Sequence, residues 1–120
     1  MKRIRFAAAA VAAAALCAVP FAQAHSDATT LTGVVGPGFN ISLTKGGKKV
    51  TVLKAGRYTF KISDKSNIHN FHLTGPGVNK KTSVGGTRTE TWRSVKLKKG
   101  TYKFVCDPHA AIMHGLLKVT

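Results

Sequence analysis

From Thr29 onward the sequence is cut into short runs in which apolar and polar residues alternate, each closed by glycine or proline. Residues 57–63 show the pattern most plainly, with Tyr58, Phe60 and Ile62 on one side and polar residues on the other. A period of two sends successive side chains to opposite faces of a strand, so such a run covers a core with one face only. Residues 29–35, 39–45, 50–53, 68–74, 87–97, 101–106 and 116–120 also read as strands. Between them stand Gly36-Pro37-Gly38, Gly46-Gly47, Ala55-Gly56 and Gly75-Pro76-Gly77. No segment sustains a helical period. Seven to eight strands at this spacing imply an all-β, antiparallel sandwich. Residues 78–86 read as a long surface loop. Trp92 and Tyr102 sit among apolar alternations and are expected in the core or on a strand face, not as redox relays.

The first 24 residues read as an export signal. Lys2, Arg3 and Arg5 precede an Ala/Val/Leu-rich run, and Ala22-Gln23-Ala24 has the small-x-small form of a cleavage site. The run is too poor in Leu and Ile for a retained transmembrane anchor, so the processed protein is expected to run from His25 to Thr120 as one domain (25–120) in the periplasm or outside the cell. Cys17 would leave with the signal. Removing the three basic residues leaves 16 Lys and Arg against Asp27, Asp64, Glu90 and Asp107, a net +12. That charge favours anionic partners, with an acidic redox protein first among them, and no feature points to a specific nucleic acid.

Export makes Cys106 the only cysteine of the processed chain. An odd thiol in an oxidising compartment reads as an intermolecular bridge, a buried inert group or a metal ligand. Its neighbours favour the ligand: in the stretch CDPHAAIMHG, Cys106 is followed by His109 and Met113. Thiolate, imidazole and thioether are soft to intermediate donors that suit copper, whereas zinc rarely takes methionine. A second imidazole is expected from SNIHNFHLTG. There His69 and His72 would face opposite ways on a strand, and His69, near the strand's start, is the better placed. His72 reads as structural. His114 is the alternative to Met113. His25 as a new N-terminus could chelate copper with its amino group, but the rest of the chain builds a different site.

The stretch GTYKFVCDPHAAIMHG with an upstream HNFHL resembles the blue-copper cupredoxins, the plastocyanin and azurin family, from about residue 38 to the end. The resemblance implies a Greek-key β-sandwich with one type 1 copper cycling between Cu(I) and Cu(II). It implies ligation by His69, Cys106, His109 and, least securely, Met113, with Asn70 tying the two ligand loops together. Pro108 lacks an amide hydrogen, which leaves the Asn70 amide as the expected sole donor to the sulfur and implies a fairly high potential. His109 is expected to show its ring edge to solvent amid Ala110, Ala111 and Ile112, with Pro37 or Pro76 nearby if their turns share that end. Lysines outside that rim are expected to steer the partner.

A small monomeric electron carrier is the leading reading. A periplasmic copper carrier or resistance protein would use the same ligands. Five histidines divided in this way do not supply the open position and second cluster of a copper enzyme. A basic polyanion-binding module with an incidental cysteine would take up no copper.

Overall fold

The computed structural model describes residues 10–18 and 28–120. The expected cleavage site and His25 lie outside those residues, and no described helix is long and apolar enough to cross a membrane. Among the described residues ten strands form: β1 (Thr29–Val35), β2 (Ile41–Lys45), β3 (Lys48–Lys49), β4 (Val52–Leu53), β5 (Gly56–Asp64), β6 (His72–Gly75), β7 (Val78–Lys81), β8 (Arg88–Leu97), β9 (Gly100–Val105) and β10 (His114–Val119). They build two five-stranded sheets, in the orders β3-β2-β1-β5-β8 and β4-β10-β9-β6-β7. The chain crosses between sheets five times, after β3, β4, β5, β7 and β8, as Greek-key connections do. The all-β sandwich read from the alternation is the fold of the chain.

Four details depart from the reading. The sheets are mixed, because β1 runs parallel to β5 and β10 parallel to β4. Residues 78–81 pair with β6 as a strand instead of looping. They look polar because β7 is an edge strand, and lysines on an exposed edge discourage pairing with other chains. Phe39 is not in β2, which starts at Ile41. Finally, β6 starts at His72, so His69 stands in the loop before it. There the Thr82 hydroxyl accepts the Phe71 N–H at 2.9 Å, taking the place of a ladder partner.

The inward faces meet in an aromatic core. Phe71 stacks on Phe104, with ring centroids 5.6 Å apart, and lies edge-on to Trp92 at 6.2 Å. Tyr102 is fully buried, and its hydroxyl donates to the Pro76 carbonyl at 2.8 Å and accepts the Lys98 N–H at 2.9 Å. Gly115 lets β10 lie over Phe104, since a Cβ there would stand 2.1 Å from that ring.

The strand directions sort the connections into two ends. The β1–β2, β5–β6, β7–β8 and β9–β10 loops share one end. The β2–β3, β4–β5, β6–β7 and β8–β9 turns share the other. Pro37 is therefore at the first end and Pro76 at the second.

Candidate metal centre

The β9–β10 loop is closed by its own backbone. Cys106 donates its N–H to the Met113 carbonyl at 3.0 Å, and its carbonyl accepts from His109 at 3.0 Å. The His109 carbonyl accepts the N–H groups of Ile112 and Met113 at 3.0 and 2.8 Å. Residues 107–109 form a single 3-10 turn with Pro108 in its first positions, where a fixed φ and a missing N–H cost nothing. A thiol, an imidazole and a thioether are thus carried on one stiff loop.

The β5–β6 loop brings His69 to it. The Nδ1 atoms of His69 and His109 are 3.1 Å apart and lie 3.5 and 3.6 Å from the Cys106 sulfur. A point equidistant from the three atoms lies about 2 Å from each, close to the bond lengths of a first-row metal with imidazole nitrogen and thiolate sulfur. Three lone-pair donors converging in this way fit a metal ion. With His69 and Cys106 fully buried, they are the cluster of metal-binding character among the described residues. Met113 is fully buried at the end of the same loop. His114 is exposed and donates from Nδ1 to the Ala110 carbonyl at 2.8 Å, engaged outside the cluster.

Gly36 makes room for His69. Its φ of +74° favours glycine, and a Cβ there would come 3.1 Å from the His69 ring and 3.0 Å from Ser66. Among the described residues the His69 Nε2 is buried without a partner, as is Asp64 Oδ2. Burial pushes the Asp64 carboxyl above its ordinary value, against the Ser66 N–H and the charges of His69 and Arg88, which pull it down.

Asn70 joins the two ligand loops. Its side-chain oxygen accepts the Asp107 N–H at 2.7 Å, and its NH2 donates to the Asp107 carboxylate at 2.7 Å and to the Thr82 carbonyl at 3.3 Å. Its side chain is therefore occupied by Asp107 and Thr82, and among the described residues the polar contacts of the sulfur are the two Nδ1 atoms. His72 closes the network, with Nδ1 at 2.8 Å from the Asp107 carboxylate and Nε2 at 2.6 Å from Asn79 Oδ1. Burial would raise the Asp107 carboxyl. The hydrogen bonds from Asn70 and His72 and the charges of His72 and Lys81 outweigh it and hold the carboxyl below its ordinary value.

Phe39 was missed by the sequence reading. Its ring meets His109 edge-on with centroids 4.9 Å apart and His69 at 5.5 Å, yet it is 60 % exposed. The signal was its place directly after Gly36-Pro37-Gly38, where a turn residue is more natural than a strand residue. Ile68, Val84 and Ile112 are also exposed at this end, around the half-buried His109.

A two-sheet sandwich with one thiol and two imidazoles converging at one end defines a class, the mononuclear copper proteins of the blue type. Residues 2–120 match the family described as copper binding proteins of the plastocyanin/azurin family. The chain belongs to that family. Among solved structures it is similar to the copper protein rusticyanin, at 19 % identity and TM-score 0.53, with 76 % of each chain covered. Reduced rusticyanin gives 22 % identity and TM-score 0.51, with 76 % of this chain and 78 % of that one covered. Reduced auracyanin from the photosynthetic bacterium Roseiflexus castenholzii gives 21 % identity and TM-score 0.49, with 78 % of this chain and 98 % of that one covered. No curated protein sequence matches.

Proposed function

We propose that this chain is an exported carrier of single electrons, with one copper held by His69 Nδ1, Cys106, His109 Nδ1 and the Met113 thioether. Copper supplies a one-electron couple when bound. The observation that carries the reading is the convergence of three donor atoms within 3.1 to 3.6 Å of one another, two of them on fully buried residues.

The protein's part is to hold those donors before the metal arrives and to keep them in place while charge changes. The loop hydrogen bonds fix Cys106, His109 and Met113, and Asn70 fixes the His69 loop against them. Donors that do not rearrange lower the barrier to electron exchange. His109 is the donor residue that reaches the surface, and the Phe39, Ile68 and Ile112 side chains around it present an apolar rim that can shed water against a partner. Lys65, Lys81 and Arg88 are exposed at the same end and suit an acidic redox partner.

The test is to add Cu(II) to the reduced processed protein. Intense orange-red absorption with a narrow copper hyperfine splitting is expected, and a Cys106→Ser variant should lose both. Copper uptake without either signal would leave only the metal-carrier reading.

A further inference from the structure

The end of the sandwich remote from the metal donors is strongly basic. Lys45 and Lys48 flank the Gly46-Gly47 turn, Lys54 and Arg57 flank the β4–β5 turn, and Lys98 and Lys99 make the β8–β9 turn. All six are exposed. Among the described residues the three acidic side chains are elsewhere. Asp64 ends β5 and Asp107 lies in the ligand loop, both at the metal end, while Glu90 pairs with Ile62 in the half of β5 nearer the metal. Apart from the carboxyl group of Thr120, nothing described at the remote end carries negative charge.

Two features show that this charge is not spread for stability. Lys45 stands directly across from Lys48 in the β2–β3 ladder, and Arg57 stands directly across from Lys96 in β5–β8. Like charges in facing positions weaken a sheet. Both such pairs fall at this end. Between Lys45 and Lys54 opens a cleft of about 490 Å³ lined also by Val52, Leu53, Tyr58 and Thr120. Its mouth offers ammonium groups to an anionic group.

We propose that this end is a docking surface for an anionic phospholipid bilayer, which it meets through lipid phosphate headgroups. A protein partner would need an apolar centre to its interface. Among the described residues this end offers one large exposed apolar side chain, Val52. A bilayer needs no such centre, because mobile anionic lipids gather beneath each cation and the attraction grows with the number of Lys and Arg near the surface. The nine residues of β5 span the long axis, roughly 30 Å, so the bound sandwich stands on its basic end with the metal donors facing away. That separation is several Debye lengths, about 8 Å each at physiological salt, and isolates the metal site from the bilayer's field.

The surface does not need the metal, so its failure would leave the electron-carrier reading standing. The experiment is sedimentation of the processed protein with vesicles of phosphatidylcholine, with and without phosphatidylglycerol, over a range of salt. Two variants carry the same change in net charge. One converts Lys45, Lys48, Lys98 and Lys99 to Gln, and the other converts Lys61, Lys65, Lys81 and Arg88 to Gln. Fluorescence of the buried Trp92 reports that each is folded. Binding is expected only with phosphatidylglycerol and is expected to weaken with salt. The first variant should bind roughly six-hundredfold weaker, at about fivefold per cation removed, and the second much less so. Equal losses in both variants, no binding to phosphatidylglycerol vesicles, or tighter binding to soluble polyglutamate than to vesicles of matched charge would overturn the proposal. The last result would assign the surface to an acidic protein.

Discussion

The His72 ring and the Asp107 carboxylate, 35 residues apart in sequence, meet at 2.8 Å at the foot of the ligand loop. Asp107 is bonded to Cys106 in the chain and is also held by Asn70, so the pair connects β6 to the segment that carries the thiol. This makes a carboxylate immediately beside a thiolate tolerable, because its charge is answered by hydrogen bonds on both sides.

The first prediction concerns acid. The Asp107 carboxyl lies below its ordinary value in the folded chain. Its stabilising contribution is then fully present above about pH 4 and is lost as pH falls through the lower folded value. Urea unfolding of the metal-free protein should show wild type more stable than Asp107→Asn near neutrality, with the difference vanishing in strong acid. The side chain is 42 % exposed, so solvent screening limits the gain to about 1 kcal/mol or less. A difference that persists at the acid limit would assign the effect to packing.

Asn70 should matter more. It is 1 % exposed, and replacing it by Ala strips the Asp107 N–H and carboxylate of a partner each. Unsatisfied polar groups of this kind cost about 1–3 kcal/mol each. The Asn70→Ala protein is expected to lose roughly 2 kcal/mol in urea unfolding and to release copper to a chelator faster, while its absorption band keeps its position. A large spectral shift would mean that Asn70 acts on the sulfur directly.

The nearness of Cys106 and His109 was legible in the sequence because it is local. Cys106, His109 and Met113 lie on one short loop, and no fold could separate them widely. His69 was legible by chemistry, but its setting was not, because a strand pattern cannot show that Thr82 will take the Phe71 N–H and delay the strand's start to His72. The β7 strand was hidden for a related reason. An edge strand facing water carries no alternation, so Val78-Asn79-Lys80-Lys81 looks like loop. The placement of the lysines was invisible, since which turns share an end follows only from strand order. Lysines outside the rim were expected to steer a partner; Lys65, Lys81 and Arg88 stand exposed at that end, and six other basic side chains gather at the far end.

Phe39 tests the rim. Its ring contacts both histidines, so a Phe39→Ala change removes the edge contact that restrains His109 and opens the site to water. Because Phe39 is largely exposed, the stability loss should be small, about 1 kcal/mol or less. Electron self-exchange, measured by line broadening in mixed oxidation states, should slow at least severalfold while the spectrum of the copper changes little. Unchanged exchange would place the docking contact on another part of the surface.

Asp64 should show the opposite pH behaviour from Asp107. It is 3 % exposed, one carboxylate oxygen accepts the Ser66 N–H at 3.1 Å, and the other has no partner among the described residues. Burial therefore raises its folded value above 3.8. The unfolded chain gives up this proton at lower pH than the folded one, so stability is lost as pH rises from about 4 through the folded value, and the penalty is complete above it. Asp64→Asn keeps an oxygen for Ser66 and carries no charge to desolvate. In the metal-free protein it should be more stable than wild type near pH 7, by about 1 kcal/mol, and no more stable in strong acid. The check is urea unfolding of both proteins across that range. A less stable variant at neutral pH would show that the attraction of Arg88 and His69 for the ionised carboxylate exceeds the cost of burying it.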